Sequence, residues 1–269
     1  MVIKYNEIFY NIVLDHTLYH IFRNHNEMFF LLVTLVYLAL VVVAYKLFGK
    51  NGMYIYSVFS TIICNIGVCR MTDIFGLSTS AGTIFYAANY LATDILSENH
   101  GKKEAQKAVW YSFFTMMVWI LATQCIVFLK PSAGDHMSSS LNKILGFSPF
   151  IFISSAAAFL LSQTFDVFMY HFLWEKTGNN KTMLWLRNNV ATCLSQAIDT
   201  VTMSTGLVLF GIYSLKAAIA FTLGKYVIKV IIALLDTPFA YLARMLKNKG
   251  EKAPSESSCS ENKEFVPAV

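Results

Sequence analysis

The 269-residue sequence predicts an all-α, polytopic membrane protein with about seven transmembrane helices. Charged residues make up 14% of the chain, against about 25% in a soluble domain. Hydrophobic residues make up 56% and aromatic residues 15%. A soluble fold of this composition would expose apolar patches that soluble monomers avoid. The chain is too apolar for intrinsic disorder, and five cysteines in 269 residues make no disulfide scaffold. The long runs of uncharged residues then choose between the two spanning architectures. They are too long and continuous for barrel strands of about ten alternating residues, so they read as helices.

Residues 1–27 carry Glu7, Asp15, His16, His20 and Glu27. They lack the basic start and apolar core of a cleavable signal, and read as an extracytoplasmic segment. The first span, Met28–Phe48, has no charge before Lys46. The second is Met53–Cys69. The third, Thr79–Ile95, is shorter and more polar. The fourth, fifth and sixth are Val109–Leu129, Pro149–Leu173 and Leu186–Phe210. The seventh, Leu215–Leu235, runs on toward Arg244. Residues 130–148 and 174–185 are expected to be the longest loops, and 246–269 a disordered cytoplasmic tail. The lysines and arginines divide thirteen to six between the two sides of such a bundle, with Lys225 and Lys229 inside the seventh span. By the positive-inside rule this places the C-terminus in the cytoplasm and the N-terminus outside.

Polar residues inside spans are costly and point to function. The third span places Thr83, Tyr86, Tyr90 and Asp94 on one helical face. The string Ser-Gln-x-x-Asp occurs in the fifth span at Ser162, Gln163 and Asp166, and again in the sixth at Ser195, Gln196 and Asp199. In the sixth span the stripe extends through Asn188, Thr192, Ser195, Asp199 and Thr202, about three turns high. The seventh adds Lys225, Lys229 and Asp236. Pairing alone, for example Asp199 with Lys229, is a poor reason to insert so many polar groups, because transmembrane interhelical hydrogen bonds average about 0.6 kcal/mol. A shared polar cavity explains the aligned faces better. Carboxylates and carboxamides suit a planar, donor-rich ligand such as a guanine-like edge. On spacing alone, another small polar molecule or a cation fits equally well.

Three long strings carry a resemblance to a known family. They are GLSTSAGTIFYAANYLATDILSENHGKKEA at 76–105, LLSQTFDVFMYHFLWEKT at 160–177 and WLRNNVATCLSQAIDT at 185–200. In content, order and spacing they resemble the queuosine-precursor transporters, also called the vitamin uptake transporter family. The resemblance covers about residues 53–245. It implies a six-helix core over 49–245, similar to the substrate-binding subunits of energy-coupling-factor vitamin transporters, with 28–48 as an additional helix. It implies import of 7-cyano-7-deazaguanine, 7-aminomethyl-7-deazaguanine or queuine, precursors of a modified tRNA nucleoside, across the bacterial cytoplasmic membrane. Asp94, Gln163, Asp166, Asn188, Asn189, Gln196 and Asp199 fall on its motif positions, and Lys229 matches a lysine of the last helix. On this basis Asp166 or Asp199 takes the guanine-like edge, and Gln163 and Gln196 take carbonyl and ring nitrogen. Tyr86, Tyr90 or Phe165 stacks on the base, and Lys229 balances the buried carboxylates.

The partners expected are a deazapurine and the lipid bilayer, with no nucleic acid, metal or cofactor. Small-residue stretches such as Ala156–Ala158 suit packing within one chain as well as between copies in a homo-oligomer. Three other readings compete. A substrate-binding subunit would need a separate ATPase module, since no G-x-x-x-x-G-K-[ST] string is present. An intramembrane enzyme would want histidine ligands or a nucleophile elbow, but His171 is the only histidine in or near a span core and G-x-S-x-G is absent. A cation channel or pump would not need the carboxamides and aromatics.

Overall fold

In the computed structural model the described residues are 25–146, 149–178, 180–211 and 214–247. The expectations for most of 1–27 and for the tail beyond 247 lie outside them. Seven α-helices follow in order: α1 (Asn26–Gly67), α2 (Gly82–His100), α3 (Lys102–Phe128), α4 (Ser138–Leu145), α5 (Pro149–Thr177), α6 (Leu184–Leu209) and α7 (Leu215–Met245). A two-stranded antiparallel sheet, β1 (Met71–Ile74) and β2 (Leu77–Ser80), lies between α1 and α2.

Helix α1 is two antiparallel arms rather than one rod. Gly49 breaks it with φ 57 and ψ −139, a backbone that a side chain would oppose. The Tyr56 hydroxyl donates to the Tyr37 carbonyl at 2.9 Å, although nineteen residues of straight helix would separate them by about 28 Å. The two expected spans at 28–48 and 53–69 are these arms, joined by one residue instead of a loop. Gly101, with φ 89, makes the same kind of one-residue turn between α2 and α3.

Three boundaries correct the sequence reading. Thr79 and Ser80, expected to open the third span, belong to β2, because the positive-φ pair Phe75 and Gly76 turns the chain into a hairpin. Helix α3 begins at Lys102, seven residues before the expected start, since its first turn continues directly from Gly101. The expected loop at 130–148 contains α4, capped by Asp135, whose Oδ1 accepts from the backbone N–H groups of Met137 and Ser138 at 2.7 and 3.0 Å.

Four helices are long and apolar enough by themselves to cross a bilayer: Asn26–Gly67, Lys102–Phe128, Ile151–Thr177 and Thr222–Met245. Helix α2 is more polar because it is screened from lipid, and α6 because one polar face turns into the bundle. Almost every residue of α2 is buried, from Gly82 to Asn99 except for Phe85 and Tyr86. It packs on α1, α3, α5 and α7, while α6 packs on α5 and α7. Apolar side chains such as Leu38, Val41, Leu91, Leu96 and Val167 fill the core. Phe114, Leu121, Leu161, Leu223 and other large apolar residues point outward, as a lipid-facing surface requires. One polar seam is structural: Ser57 of α1 joins Asn89 of α2 and Ser112 of α3, and Asn89 also donates to Thr61.

Candidate functional site

Helix α6 is the pole of a polar ladder. Asn188, Thr192, Ser195 and Asp199 recur at steps of four, three and four, so they form one face and rise roughly 16 Å along the axis. Each engages a carboxylate or carries one. Asn188 Nδ2 donates to Asp236 Oδ1 of α7 at 2.7 Å. The Thr192 hydroxyl donates to Asp94 Oδ2 of α2 at 3.2 Å. The Ser195 hydroxyl donates to Asp166 Oδ1 of α5 at 2.7 Å. Asp199 accepts from Lys229 Nζ of α7 at 2.5 Å and from the Tyr86 hydroxyl of α2 at 2.7 Å. The two Ser-Gln-x-x-Asp strings therefore meet, with the serine of the second holding the aspartate of the first.

Only the Asp199 rung reaches open space. A cavity of about 270 Å³ lies among all seven helices, and its polar lining includes Tyr86, Asp199, Thr200, Lys225 and Lys229. It sits at the end of the bundle where α2, α5 and α7 begin and α6 ends. The Lys229 ammonium also lies 5.0 Å from the centroid of the Tyr86 ring, and Tyr86 meets Tyr90 edge to face. Below this rung the ladder is closed. Asp94, Gln163, Asp166, Asn188, Gln196 and Tyr90 are each at most 1% exposed. Each keeps a polar atom that no protein group satisfies: Asp94 Oδ1, Asp166 Oδ2, Asn188 Oδ1, Gln196 Oε1, Gln163 Nε2 and the Tyr90 hydroxyl. Buried polar groups are normally paired, so six unpaired polar atoms along one column make it a candidate site.

The structure thus brings nine of the ten sequence-predicted site residues into one column, three at the cavity and six beneath it. Asn189 points elsewhere, donating to the Trp185 carbonyl and the Thr237 hydroxyl, and joins α6 to α7. Phe165, expected as a stacking ring, packs on Phe168, which is 51% exposed, instead.

Asp236, a polar residue of the seventh span that the sequence reading did not assign to the site, joins the ladder through Asn188. Sequence reasoning missed a buried charge cluster at the other end of the bundle. Glu98 accepts from Arg187 Nη2 at 2.9 and 3.1 Å, from the Tyr170 hydroxyl at 2.6 Å and from Arg244. Arg187 also donates to Thr177 Oγ1 and the Gly178 carbonyl at 3.0 Å and lies over the Trp174 ring. In the sequence these groups look like loop and helix-end charges. The four-residue step from Tyr86 through Tyr90 and Asp94 to Glu98 was the signal that could have drawn Glu98 in.

The comparisons with known proteins agree with this architecture. Residues 80–243 match a family model described as "Putative vitamin uptake transporter". The chain is 32% identical over 228 residues to a Bacillus subtilis (strain 168) protein named "Probable queuosine precursor transporter", covering 85% of this chain and 99% of that relative. No solved structure matches the chain. The match to the family model and the near-complete coverage of the relative show that this multi-pass membrane protein belongs to the vitamin uptake transporter family.

Proposed function

We propose that the protein imports 7-deazaguanine precursors of queuosine across the bacterial cytoplasmic membrane, as the name of its relative suggests. The observation that carries this reading is the Tyr86–Asp199–Lys229 rung at the inner end of the cavity. Drug-sized ligands occupy about 300–1,000 Å³, so 270 Å³ suits a single fused-ring base. A guanine-like edge presents a ring N–H beside an exocyclic amine, and one carboxylate accepts both. Asp199 is that carboxylate. The entering base replaces Lys229 and Tyr86 as its donors and takes the place of the ammonium against the Tyr86 ring. Asp94, Gln163, Asp166, Asn188 and Gln196 then form the onward polar path, and Tyr90 offers its hydroxyl from the side. Asn189, tied to Thr237, braces α6 against α7.

With thirteen of the lysines and arginines on the side of the C-terminus, the positive-inside rule puts that end in the cytoplasm. The cavity then opens outward and the Glu98 cluster closes the inner end. Expressed alone in cells that cannot make queuosine precursors, the protein should restore uptake. 7-Cyano-7-deazaguanine, 7-aminomethyl-7-deazaguanine and queuine should compete with one another. Uptake of none of the three, or uptake only when a separate ATPase module is supplied, would overturn an autonomous importer.

A further inference from the structure

Among the described residues, three carboxylates contact the ladder pole and a fourth, Asp199, stands on it and is bonded to the Lys229 ammonium. The arginines at the inner end, Arg187 and Arg244, are engaged by a different carboxylate, Glu98. Asp94 of α2 and Asp166 of α5 occupy adjacent rungs of the ladder, held by Thr192 and Ser195 one turn apart on α6. Both are at most 1% exposed. Hydroxyls of α6 fix one oxygen of each, through Thr192 and Ser195. Asp94 Oδ1 and Asp166 Oδ2 receive no other donor from the protein.

A second observation points to the same spot. Gln163 stands one turn before Asp166 on the same face, and its Oε1 is touched at 3.4 Å by the hydroxyl of Thr93, the neighbour of Asp94. Its Nε2 is fully buried without a partner. The other titratable groups near the pair are Tyr90 of α2, Tyr170 of α5 and Asp236 of α7. None of these is a cation. Two carboxylates on adjacent rungs, away from water and with no cation beside them, do not both stay ionised, and a shared proton neutralises the pair.

We infer that the Asp94–Asp166 pair is a proton site that couples transport to the proton gradient, distinct from the base contact at Asp199. The site rests on the importer reading only for its role, not for its existence. The proton arrives from water on the cavity side, bridges the two carboxyl groups while the ladder is closed, and leaves to water on the opposite side. The two aspartates then part, or gain water or the base as a donor. Proton and base move in the same direction, and no other co-reactant is needed.

Infrared difference spectroscopy of the full-length protein tests the site without a substrate. At neutral pH a carboxylic-acid C=O band should be present and should be lost in both Asp94→Asn and Asp166→Asn. A band indifferent to both substitutions overturns the site. Wild-type proteoliposomes test the coupling, with 7-cyano-7-deazaguanine as the probe and an inside-alkaline pH difference. One proton per base predicts about tenfold accumulation per pH unit, abolished by a protonophore and lost in Asp166→Asn. Base that equilibrates but ignores the gradient overturns the coupling and leaves the importer reading intact. If no base enters under any condition, the importer reading falls and the infrared band alone decides the proton site.

Discussion

The two ends of the polar column hold the same motif in opposite surroundings. At the cavity, Asp199 is held by one lysine and one tyrosine hydroxyl, with the ion-paired side chains 13% and 8% exposed. At the far end, Glu98 is held by two arginines and one tyrosine hydroxyl, with Arg187 fully buried and Glu98 3% exposed. A lysine ammonium is a point charge on a flexible stem. A guanidinium is a rigid fork that binds a carboxylate bidentately and stacks on rings. Arg187 lies over Trp174, reaches both oxygens of Glu98 through Nη2 alone, and holds the C-terminal turn of α5 through Nη1. The cavity end therefore holds its carboxylate through fewer and more exposed contacts than the far end.

The far end should give the largest effect on stability. Arg187→Met leaves Glu98 with one arginine and removes the tie to Thr177 and Gly178. Breaking a buried pair from one side costs about 3–5 kcal/mol, to be read from unfolding of the detergent-solubilised protein. An unchanged unfolding midpoint would break the distinction between the two ends. At the cavity end the effect should appear in transport. Asp199→Asn keeps the shape of the rung but loses the charge that accepts two donors, so uptake should fall by at least about tenfold, since hydrogen bonds to charged groups are worth about 1.5–3 kcal/mol. Wild-type uptake by this variant would remove Asp199 from the base site.

Tyr86→Phe asks less of the same rung. It keeps the ring beneath Lys229 and removes the hydroxyl that reaches Asp199 and Ser162. Asp199 retains Lys229, so the expected loss is about 1 kcal/mol, seen as a several-fold weaker apparent affinity for the base with little change in maximal uptake. A loss as large as that of Asp199→Asn would mean that the hydroxyl, rather than the carboxylate, is the principal contact.

The contrast also explains what the sequence made legible. The Asp199 rung was readable because its residues sit in the middle of apolar runs, where any charge is costly and conspicuous. The steps of three and four along α6 then gave the face, and the pairing with Lys229 followed from charge balance. The Glu98 cluster was not readable in the same way. Its members lie near helix ends, where charged residues ordinarily face water or lipid headgroups, and Arg187 counts as a cytoplasmic charge in any orientation tally. Glu98 and Arg187 are 89 residues apart, and only the packing of both α2 and α6 on α5 and α7 makes them neighbours. The hairpin at Gly49 was legible as two apolar spans, but not the one-residue turn. Composition reports how much chain lies in the bilayer, and a single glycine φ decides how sharply it reverses. Asn188 and Asp236 were each conspicuous in their spans, but their pairing appears only once α6 and α7 lie side by side.

The smallest effect belongs to α4, which lies at the cavity end but outside the ladder. Ile144 and Leu145 of α4 line the cavity, and Gln124 of α3 donates to the Leu145 carbonyl at 3.0 Å. At its start Asp135 accepts from the backbone N–H groups of Met137 and Ser138. The Ser138 hydroxyl and the N–H groups of Met137 and Ser138 stabilise the ionised carboxylate, which lowers its pKa below the usual carboxylate range. The folded value lies below the unfolded one, about 3.9, so the cap contributes fully above the unfolded value. That contribution is lost as pH falls through the lower folded value. Amide hydrogen exchange should therefore show α4 protection constant from neutral pH down to about pH 4 and declining in stronger acid. Asp135→Ala should lower the protection already at neutral pH and flatten the acid decline, with no change at Glu98. If α4 keeps its protection in this variant, local capping is not what holds the cavity rim. The rim would then be as firmly packed as the inner clamp, and the contrast between a yielding end and a fixed end would rest on the Asp199 rung alone.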